Sequence, residues 1–162
     1  MIAVAEMRLR YCLDTSTLIE SWNRRYPKDV FPTFWQRMEE AIGDGLLFAP
    51  EIVMYELQAK DDALHEWTKN VDTDFFLPLS EEVQKEHKRI INTYPKLIDS
   101  TKNRSMADPW VIALAKVEGC PVVTEEQMGG ETKPRIPNVC TNEGIGWLST
   151  LDMLRALKWS FR

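Results

Sequence analysis

The chain has 162 residues, a formal net charge of −5, and apolar and charged fractions of 44% and 28%. This length suits one domain with a proper core. The acidic balance argues against a protein coated with basic residues, although it allows a local basic face. No apolar run approaches the roughly 18 residues that a membrane-spanning helix needs. We expect a cytoplasmic protein, with a loose tail over residues 1–8 and a single domain over residues 9–162.

The cysteines and histidines exclude two common kinds of site. Cys12, Cys120 and Cys140 have unrelated spacings, so the sequence predicts neither a disulfide framework nor a paired thiolate motif. Free buried thiols in a reducing compartment are expected instead. His65 and His87 have no metal-binding partner at helical spacing, which argues against a zinc site.

The stretch Leu9–Glu20 predicts a strand that runs directly into a helix. A short apolar run from Leu9 to Leu13 is typical of a buried strand, and Asp14 ends it. Leu18 and Ile19 then begin an apolar-periodic helix. Asp14 is therefore expected at the carboxyl end of a strand and beside a helix amino terminus, where open α/β sheets bind ligands. The alternative role for Asp14 is capping of that helix.

The rest of the chain alternates between helical and strand patterns. Helices are predicted over 34–42, 50–60, 61–71, 80–94, 108–118, 139–143 and 150–158, and short strands over 46–49, 75–79, 121–124 and 147–148. Strands separated by helices imply parallel pairing with right-handed crossovers. The predicted fold class is therefore α/β.

Acidic residues occur at four places that such a sheet could bring together. They are Asp14 after a strand, Glu56 on a helix, Asp108 at a helix start, and Glu125 with Glu126 after another strand. The helix that begins at Asp108 leads into a strand and should point away from the carboxyl edge. A loop would then have to carry Asp108 back to that edge.

A cleft with three or four carboxylates points to a divalent metal centre. Such carboxylates cannot all stay ionised unless cations neutralise them. Oxygen-rich sites without histidine suit Mg²⁺ or Mn²⁺. Two such ions roughly 4 Å apart can clamp both reacting oxygens of a phosphodiester. The chemistry that these residues predict is metal-assisted phosphodiester hydrolysis.

Four sequence blocks resemble the PIN domain, the nuclease fold of many bacterial VapC-like toxin ribonucleases. The blocks are LDTSTLIE, APEIVMYEL, ADPWVIALA and CPVVTEE, in this order. The segment RRYPKDVFPTFW and the doubled glutamate after VVT resemble a PIN-like subfamily of unsettled function. The resemblance implies a three-layer α/β/α domain with a short central parallel sheet. It also implies an endoribonuclease that uses Mg²⁺ or Mn²⁺, takes RNA as substrate and can have a protein antitoxin as partner.

The resemblance assigns the acidic residues as metal ligands. Asp14 would be the first ligand, Glu56 the second and Asp108 the third. The family usually has an aspartate as the fourth ligand, where this chain has Glu126. Glu125 competes for that role.

Two hydroxyl residues match supporting positions of the same family. Ser16 matches a polar residue that supports the first ligand by hydrogen bonding. Thr124 matches the hydroxyl at the end of the last strand motif.

Two of the acidic residues have simpler alternative roles. Glu56 has Lys60 one helical turn further along as an ion-pair partner. Asp108 stands before Pro109 and suits a helix N-cap, a role that is compatible with metal binding.

Two other functions compete with the nuclease. An aspartyl phosphatase that uses Asp14 as nucleophile would need a second aspartate two residues later, where this chain has Ser16. A PIN-like module that binds RNA or protein with weak or no catalysis is favoured by Glu126 in place of aspartate and by the acidic net charge.

The sequence also predicts three surfaces. A homodimer, or an interface covered by an antitoxin, is expected from apolar residues in two helices: Phe34, Trp35, Leu151, Leu154 and Leu157. Trp22 and Trp35 are candidates for base stacking. Basic residues that could follow a phosphate backbone are Lys85, Lys88, Arg89, Lys102 and Arg104.

Overall fold

The computed structural model describes residues 9–71, 73–98 and 106–162. The predicted tail over residues 1–8 lies outside these ranges, as do Lys102 and Arg104 of the basic residues proposed to follow a phosphate backbone. The strands within the described residues are β1 (Tyr11–Leu13), β2 (Leu47–Pro50), β3 (Phe76–Leu77), β4 (Val122–Val123) and β5 (Trp147–Leu148). The α-helices are α1 (Thr15–Glu20), α2 (Pro32–Gly43), α3 (Glu51–Lys60), α4 (Asp62–Thr68), α5 (Glu81–Thr93), α6 (Asp108–Glu118), α7 (Ile136–Glu143) and α8 (Thr150–Ala156). A π-helical turn, Ser21–Arg25, extends α1.

The strands form a parallel sheet in the order β3-β2-β1-β4-β5. The chain moves outward from β1 to β2 and β3, and then returns to the other side of β1 to build β4 and β5. With right-handed crossovers, this reversal places α5, α6 and α7 on one face of the sheet and the preceding helices on the other. The result is the predicted three-layer α/β/α fold with a short parallel sheet.

Helix α6 forms the centre of the core. Its residues from Val111 to Ala115 are all buried, and it packs against β1, β2 and β4 on one side and against α5 and α7 on the other. A helix that is apolar on most of its surface requires such contacts on several sides. It ends at Gly119, which has the left-handed φ of 68° that favours glycine after a helix. Helix α6 therefore fixes its first residue, Asp108, against the sheet.

Asp108 is not an N-cap, so that part of the sequence interpretation was wrong. Ala107 occupies the N-cap position and Asp108 is the first residue of the helix, followed by Pro109. Proline is tolerated in this first turn because the missing N–H would have no helical partner there. Asp108 is thus the first helical residue and does not cap the helix from outside.

The aromatic residues of α2 form core contacts rather than a binding surface. Phe34 and Trp35 are completely buried, and Leu154 of α8 is nearly so. The Trp35 ring packs edge-on against Trp22 at 4.9 Å and against Trp67 at 4.8 Å between ring centroids. Base stacking on Trp35, and a dimer surface built from Phe34, Trp35 and Leu154, are therefore excluded by burial. The helical spacing of these residues marks the face of α2 that turns inward.

Cys12 and Cys120 are free and buried, as predicted, and Cys140 is free and buried as well. Among the described residues, no helix combines the length and the apolar character that crossing a bilayer would require.

Candidate metal centre

Three acidic side chains meet at the carboxyl ends of β1 and β4. Asp14 follows β1, Glu126 follows β4 after two intervening residues, and Asp108 begins α6. One carboxylate oxygen from each lies within 4.8 Å of the others. Strands β1 and β4 are neighbours at the point where the strand order reverses. The crevice at such a reversal is the usual ligand site of open α/β sheets.

Asp108 reaches this edge directly from its helix, without the loop that the sequence analysis required. In a βαβ unit the connecting helix runs opposite to the strands, so its amino terminus lies at their carboxyl edge. Glu118, at the other end of α6, pairs with Arg10 just before β1, which marks the opposite edge of the sheet. The expectation that α6 begins far from the site was therefore wrong.

Two hydroxyl groups hold the Asp14 carboxylate in one orientation. Its Oδ2 accepts hydrogen bonds from Ser16 Oγ at 2.6 Å and from Thr124 Oγ1 at 3.0 Å. The backbone N–H of Glu125 donates to Ser16 Oγ, and that of Glu126 donates to Thr124 Oγ1. Each hydroxyl accepts from the backbone after β4 and donates to Asp14, so the carboxylate is tied to both strands.

The second oxygen of Asp14 has no protein partner among the described residues. Asp14 occupies the N-cap position of α1 without making a side-chain cap. Its Oδ1 is buried and accepts no hydrogen bond. A buried carboxylate oxygen without a partner is costly. A cation bound between Asp14, Asp108 and Glu126 would remove that cost, so these residues fit a divalent metal.

Burial and neighbouring charges disfavour the ionised form of Asp14. Burial has the largest effect and, with the repulsion from Glu126 and Glu56, raises the pKa of Asp14 from 3.8 to about 7. The hydrogen bonds from Ser16 and Thr124 oppose this rise. A bound divalent cation opposes this rise in pKa because it favours the charged form of the carboxylates.

The two consecutive glutamates point to different places. Glu126 belongs to the cluster, and its Oε2 also accepts from the Ile136 N–H at the start of α7 at 3.1 Å. Glu125 instead accepts from the Thr150 N–H at the start of α8 and lies 3.5 Å from Arg25. Of the two competitors, Glu126 and not Glu125 belongs to the group of close carboxylates with Asp14 and Asp108.

Glu56 lines the same cleft but lies outside the group of three close carboxylates. Its Oε1 accepts from the Ala107 N–H at 2.9 Å, directly before Asp108, and its Oε2 lies 3.9 Å from Lys60 Nζ. The ion pair expected from the sequence is therefore present. Because Glu56 also bonds the residue before Asp108, it helps to position the start of α6.

The cleft has a volume of about 380 Å³ and includes charged residues that are not among those predicted from the sequence as site residues. They are Glu20 and Arg135, together with Lys60, which was considered only as a partner of Glu56. Glu20 could have been found, because it stands four residues after Ser16 and so shares a face of α1. Arg135 gave no signal, since a long loop separates it from Glu126.

The predicted basic face of α5 is only partly available for a phosphate backbone. Arg89 pairs with Glu86 and with Glu143. Lys85 is exposed and lies 3.9 Å from Glu81.

The three-layer α/β/α fold with its short parallel sheet is shared with solved structures of other proteins. The chain is similar to a crystal structure of VapBC2 from Rickettsia felis bound to a DNA fragment from their promoter, with a TM-score of 0.56 and 11% identity over 87% of this chain and 98% of that one. It is also similar to VapBC-5 from Mycobacterium tuberculosis, with a TM-score of 0.48 and 14% identity over 86% and 96% of the two chains.

Within this fold class, the chain belongs to the family described as Domain of unknown function (DUF4411), whose model matches residues 11–161. No curated protein matches the chain.

Proposed function

We propose that this protein is an endoribonuclease that requires Mg²⁺ or Mn²⁺. The observation that carries the proposal is the buried Asp14 Oδ1, which accepts no hydrogen bond and belongs to a cluster with Asp108 and Glu126. If the cluster only stabilised the fold, its buried carboxylates would be expected to have hydrogen-bond or ion-pair partners in the protein. A metal site instead leaves the oxygens that bind the metal without such partners. The VapC-like fold supports the same chemistry.

In this proposal the protein acts mainly through positioning. Asp14, Asp108 and Glu126 hold the divalent ions, and Glu56 contributes charge from the neighbouring wall of the cleft. Ser16 and Thr124 keep Asp14 in one orientation by bonding its Oδ2. When bound, the ions supply Lewis acidity to the phosphate and its attacking water.

A cleavage assay on a labelled stem-loop RNA tests the proposal. Wild-type protein should cleave in Mg²⁺ or Mn²⁺, lose activity in a chelator and regain it when the ion is restored. Asp14→Asn should lose at least about 100-fold in rate, because it removes a charge that the cation needs. Asp29→Asn, the same substitution at an exposed position, is the matched control. Cleavage that persists in the chelator, or in Asp14→Asn, would contradict the proposal.

We further propose that the nuclease is the toxin of a toxin–antitoxin pair in the cytoplasm. The support is the shared fold with the VapBC2 structure. Induced expression in a bacterial host should arrest growth with the wild type and with Asp29→Asn, but not with Asp14→Asn. Unimpaired growth with active wild-type enzyme would show that the nuclease has another role.

A catalytically weak module that binds RNA or protein is the second candidate. It is favoured by the glutamate at position 126, because one of its carboxylate oxygens already accepts a hydrogen bond from the Ile136 N–H at the start of α7. The cleavage assay separates the two, because such a module would leave the RNA uncut, or nearly so, in either ion.

The homodimer stays a prediction, and fewer of the residues that suggested it are available at the surface. Of the five residues that suggested it, Leu151 is clearly exposed, at 43%, and Leu157 is half-buried. Light scattering at several concentrations, with wild type and Leu151→Glu, measures whether α8 supports self-association.

A further inference from the structure

We infer that Arg135 and Lys60 bind backbone phosphates of the RNA on opposite sides of the metal centre. The inference rests on the proposed nuclease function and adds to it the residues that would hold the substrate. Both side chains line the cleft that contains Asp14, Asp108 and Glu126.

The charges of the cleft require cations beyond the metals. Five carboxylates line it, from Asp14, Glu20, Glu56, Asp108 and Glu126, against two basic side chains, so its formal charge is −3. Two divalent ions would change this to +1, and a single one would leave −1. The net charge of the cleft therefore attracts a polyanion such as RNA only when both metal ions and both basic residues are present.

The two basic residues lie on different sides of Asp14. Lys60 belongs to α3, which follows β2, and Arg135 stands directly before α7, which follows β4. Strands β2 and β4 are the two neighbours of β1 in the sheet. An RNA strand that places one phosphate at Asp14 can therefore approach Lys60 on one side and Arg135 on the other.

The backbone at Arg135 is held in a fixed position relative to Glu126. Asn138 Oδ1 accepts from the N–H groups of Arg135 and Gly129, and Asn138 Nδ2 donates to the Gly129 carbonyl. The next N–H, of Ile136, donates to Glu126. A Cβ at Gly129 would lie 2.3 Å from the Lys133 carbonyl and 3.1 Å from Arg135 Cγ, so the close packing requires glycine. This construction holds a flexible side chain beside a metal ligand.

The charge of Arg135 is not paired with an acidic group of the described residues, and Arg135 lines a cavity that an RNA strand can follow. It is exposed and forms no salt bridge with the described residues. With Glu126 it lines a second cavity of about 550 Å³, which also contains Lys133 and the Gly129-Gly130 backbone. A strand that leaves the metal centre over Glu126 therefore passes Arg135 directly.

Lys60 can exchange its present partner for a phosphate. Its Nζ lies 3.9 Å from Glu56 Oε2, at the long limit of an ion pair, and the side chain is 46% exposed. A pair at this distance, with a half-exposed lysine, contributes little to stability.

The test is RNA binding measured as a function of salt. The probe is a fluorescein-labelled single-stranded RNA of about 12 nucleotides, with Ca²⁺ in place of Mg²⁺ and a gel to confirm that the probe stays intact. Arg135→Gln and Lys60→Gln should each weaken binding about 10-fold and reduce the slope of log K against log salt by about 0.7. Arg135→Lys should keep most of the slope. Arg37→Gln, at an exposed position of α2, should behave as wild type.

A parallel cleavage assay in Mg²⁺ separates this inference from the proposed function. Wild-type cleavage, together with wild-type affinity and salt slope in both variants, would overturn the phosphate contacts and leave the nuclease intact. Equal losses in Arg37→Gln would also overturn them, because the effect would then follow net charge alone. If the wild type cleaves no RNA in Mg²⁺ or Mn²⁺, the nuclease proposal fails, and the inference fails with it.

Discussion

Two acidic centres of this fold bury a carboxylate in opposite ways. Asp14 is 1% exposed at the carboxyl edge of the sheet, among other acids. The Glu143 side chain is 9% exposed on the helical layer formed by α5, α6 and α7, and basic and hydroxyl groups surround it. Arg89 pairs with Glu143, and Lys116 Nζ and Tyr94 Oη each donate to it at 2.7 Å.

The two centres shift the carboxylate pKa in opposite directions. Burial raises the pKa of Asp14 to about 7, and the charge of Glu126 adds to the effect. The Arg89 hydrogen bond has the largest effect at Glu143 and, with those from Lys116 and Tyr94, lowers its pKa to about 2. Glu143 has its partners in the protein, so its role is to join three helices. Asp14 has a buried oxygen without a partner among the described residues, which is the condition expected at a ligand site.

Asp14→Asn should give the largest change in the response to metal. Mn²⁺ at about 100 times its dissociation constant should stabilise the wild type by about 2.7 kcal/mol, and the variant should lose most of this. Without metal its melting temperature should be unchanged or higher, because repulsion with Glu126 is relieved. Thermal melts with and without Mn²⁺ measure both effects. A wild-type response in Asp14→Asn would place the metal elsewhere.

Glu143→Gln should do the reverse, with a loss of stability and an unchanged response to metal. The substitution removes the charged acceptor that Arg89, Lys116 and Tyr94 share, which should cost about 2 kcal/mol. Glu86→Gln, which removes a more exposed partner of Arg89, should cost less. Urea unfolding measures the difference, and a smaller loss in Glu143→Gln than in Glu86→Gln would contradict the assigned role.

The sequence predicted the position of the site at a strand end better than the contacts within the site. Asp14 could be found because a strand that ends in an acid before a helix has a distinct pattern. The choice between Glu125 and Glu126 could not be made, because consecutive residues leave the backbone on different sides and only the tertiary fold shows which side faces Asp14. Arg135 and the partners of Glu143 depend on contacts between distant segments, for which one sequence holds no periodic signal.

The prediction of a dimer surface shows the opposite kind of error. In the sequence, Phe34 and Trp35 suggest surplus apolar surface, although their helical spacing equally predicts an inward face. Trp22 and Trp67 complete that packing from other helices. Counting apolar residues in one helix therefore could not show that the surface was already covered.

The pH dependence of stability should have two limbs that belong to the two centres. Asp14 has a folded pKa above its unfolded 3.8, so its contribution is present below that pH and is lost as pH rises through about 7. Glu143 has a folded pKa below its unfolded 4.5, so its contribution is present above that pH and is lost as pH falls through about 2. Unfolding in a chelator across pH 2–8 measures both limbs.

Variants assign each limb to its residue. Asp14→Asn should flatten the change between pH 4 and 7, and Glu143→Gln should flatten the acidic change. Mn²⁺ should stabilise the wild type increasingly as pH rises towards 7, because the cation replaces the proton on Asp14. A neutral limb that persists in Asp14→Asn would assign it to another group.

The smallest effect is expected at Glu125, which lies beside the metal centre but belongs to neither kind of acidic centre. Its oxygens contact the Thr150 N–H and Arg25, so Glu125→Gln keeps an acceptor for the start of α8 and loses only a 3.5 Å ion pair whose arginine is 55% exposed. Stability should fall by no more than about 1 kcal/mol, and the response to Mn²⁺ should stay that of the wild type. Glu126→Gln is the matched comparison, because the same change one residue later removes a charge from the cluster itself and should lose most of the metal response. If Glu125→Gln lost that response and Glu126→Gln kept it, the ligand assignment of the two glutamates would be reversed.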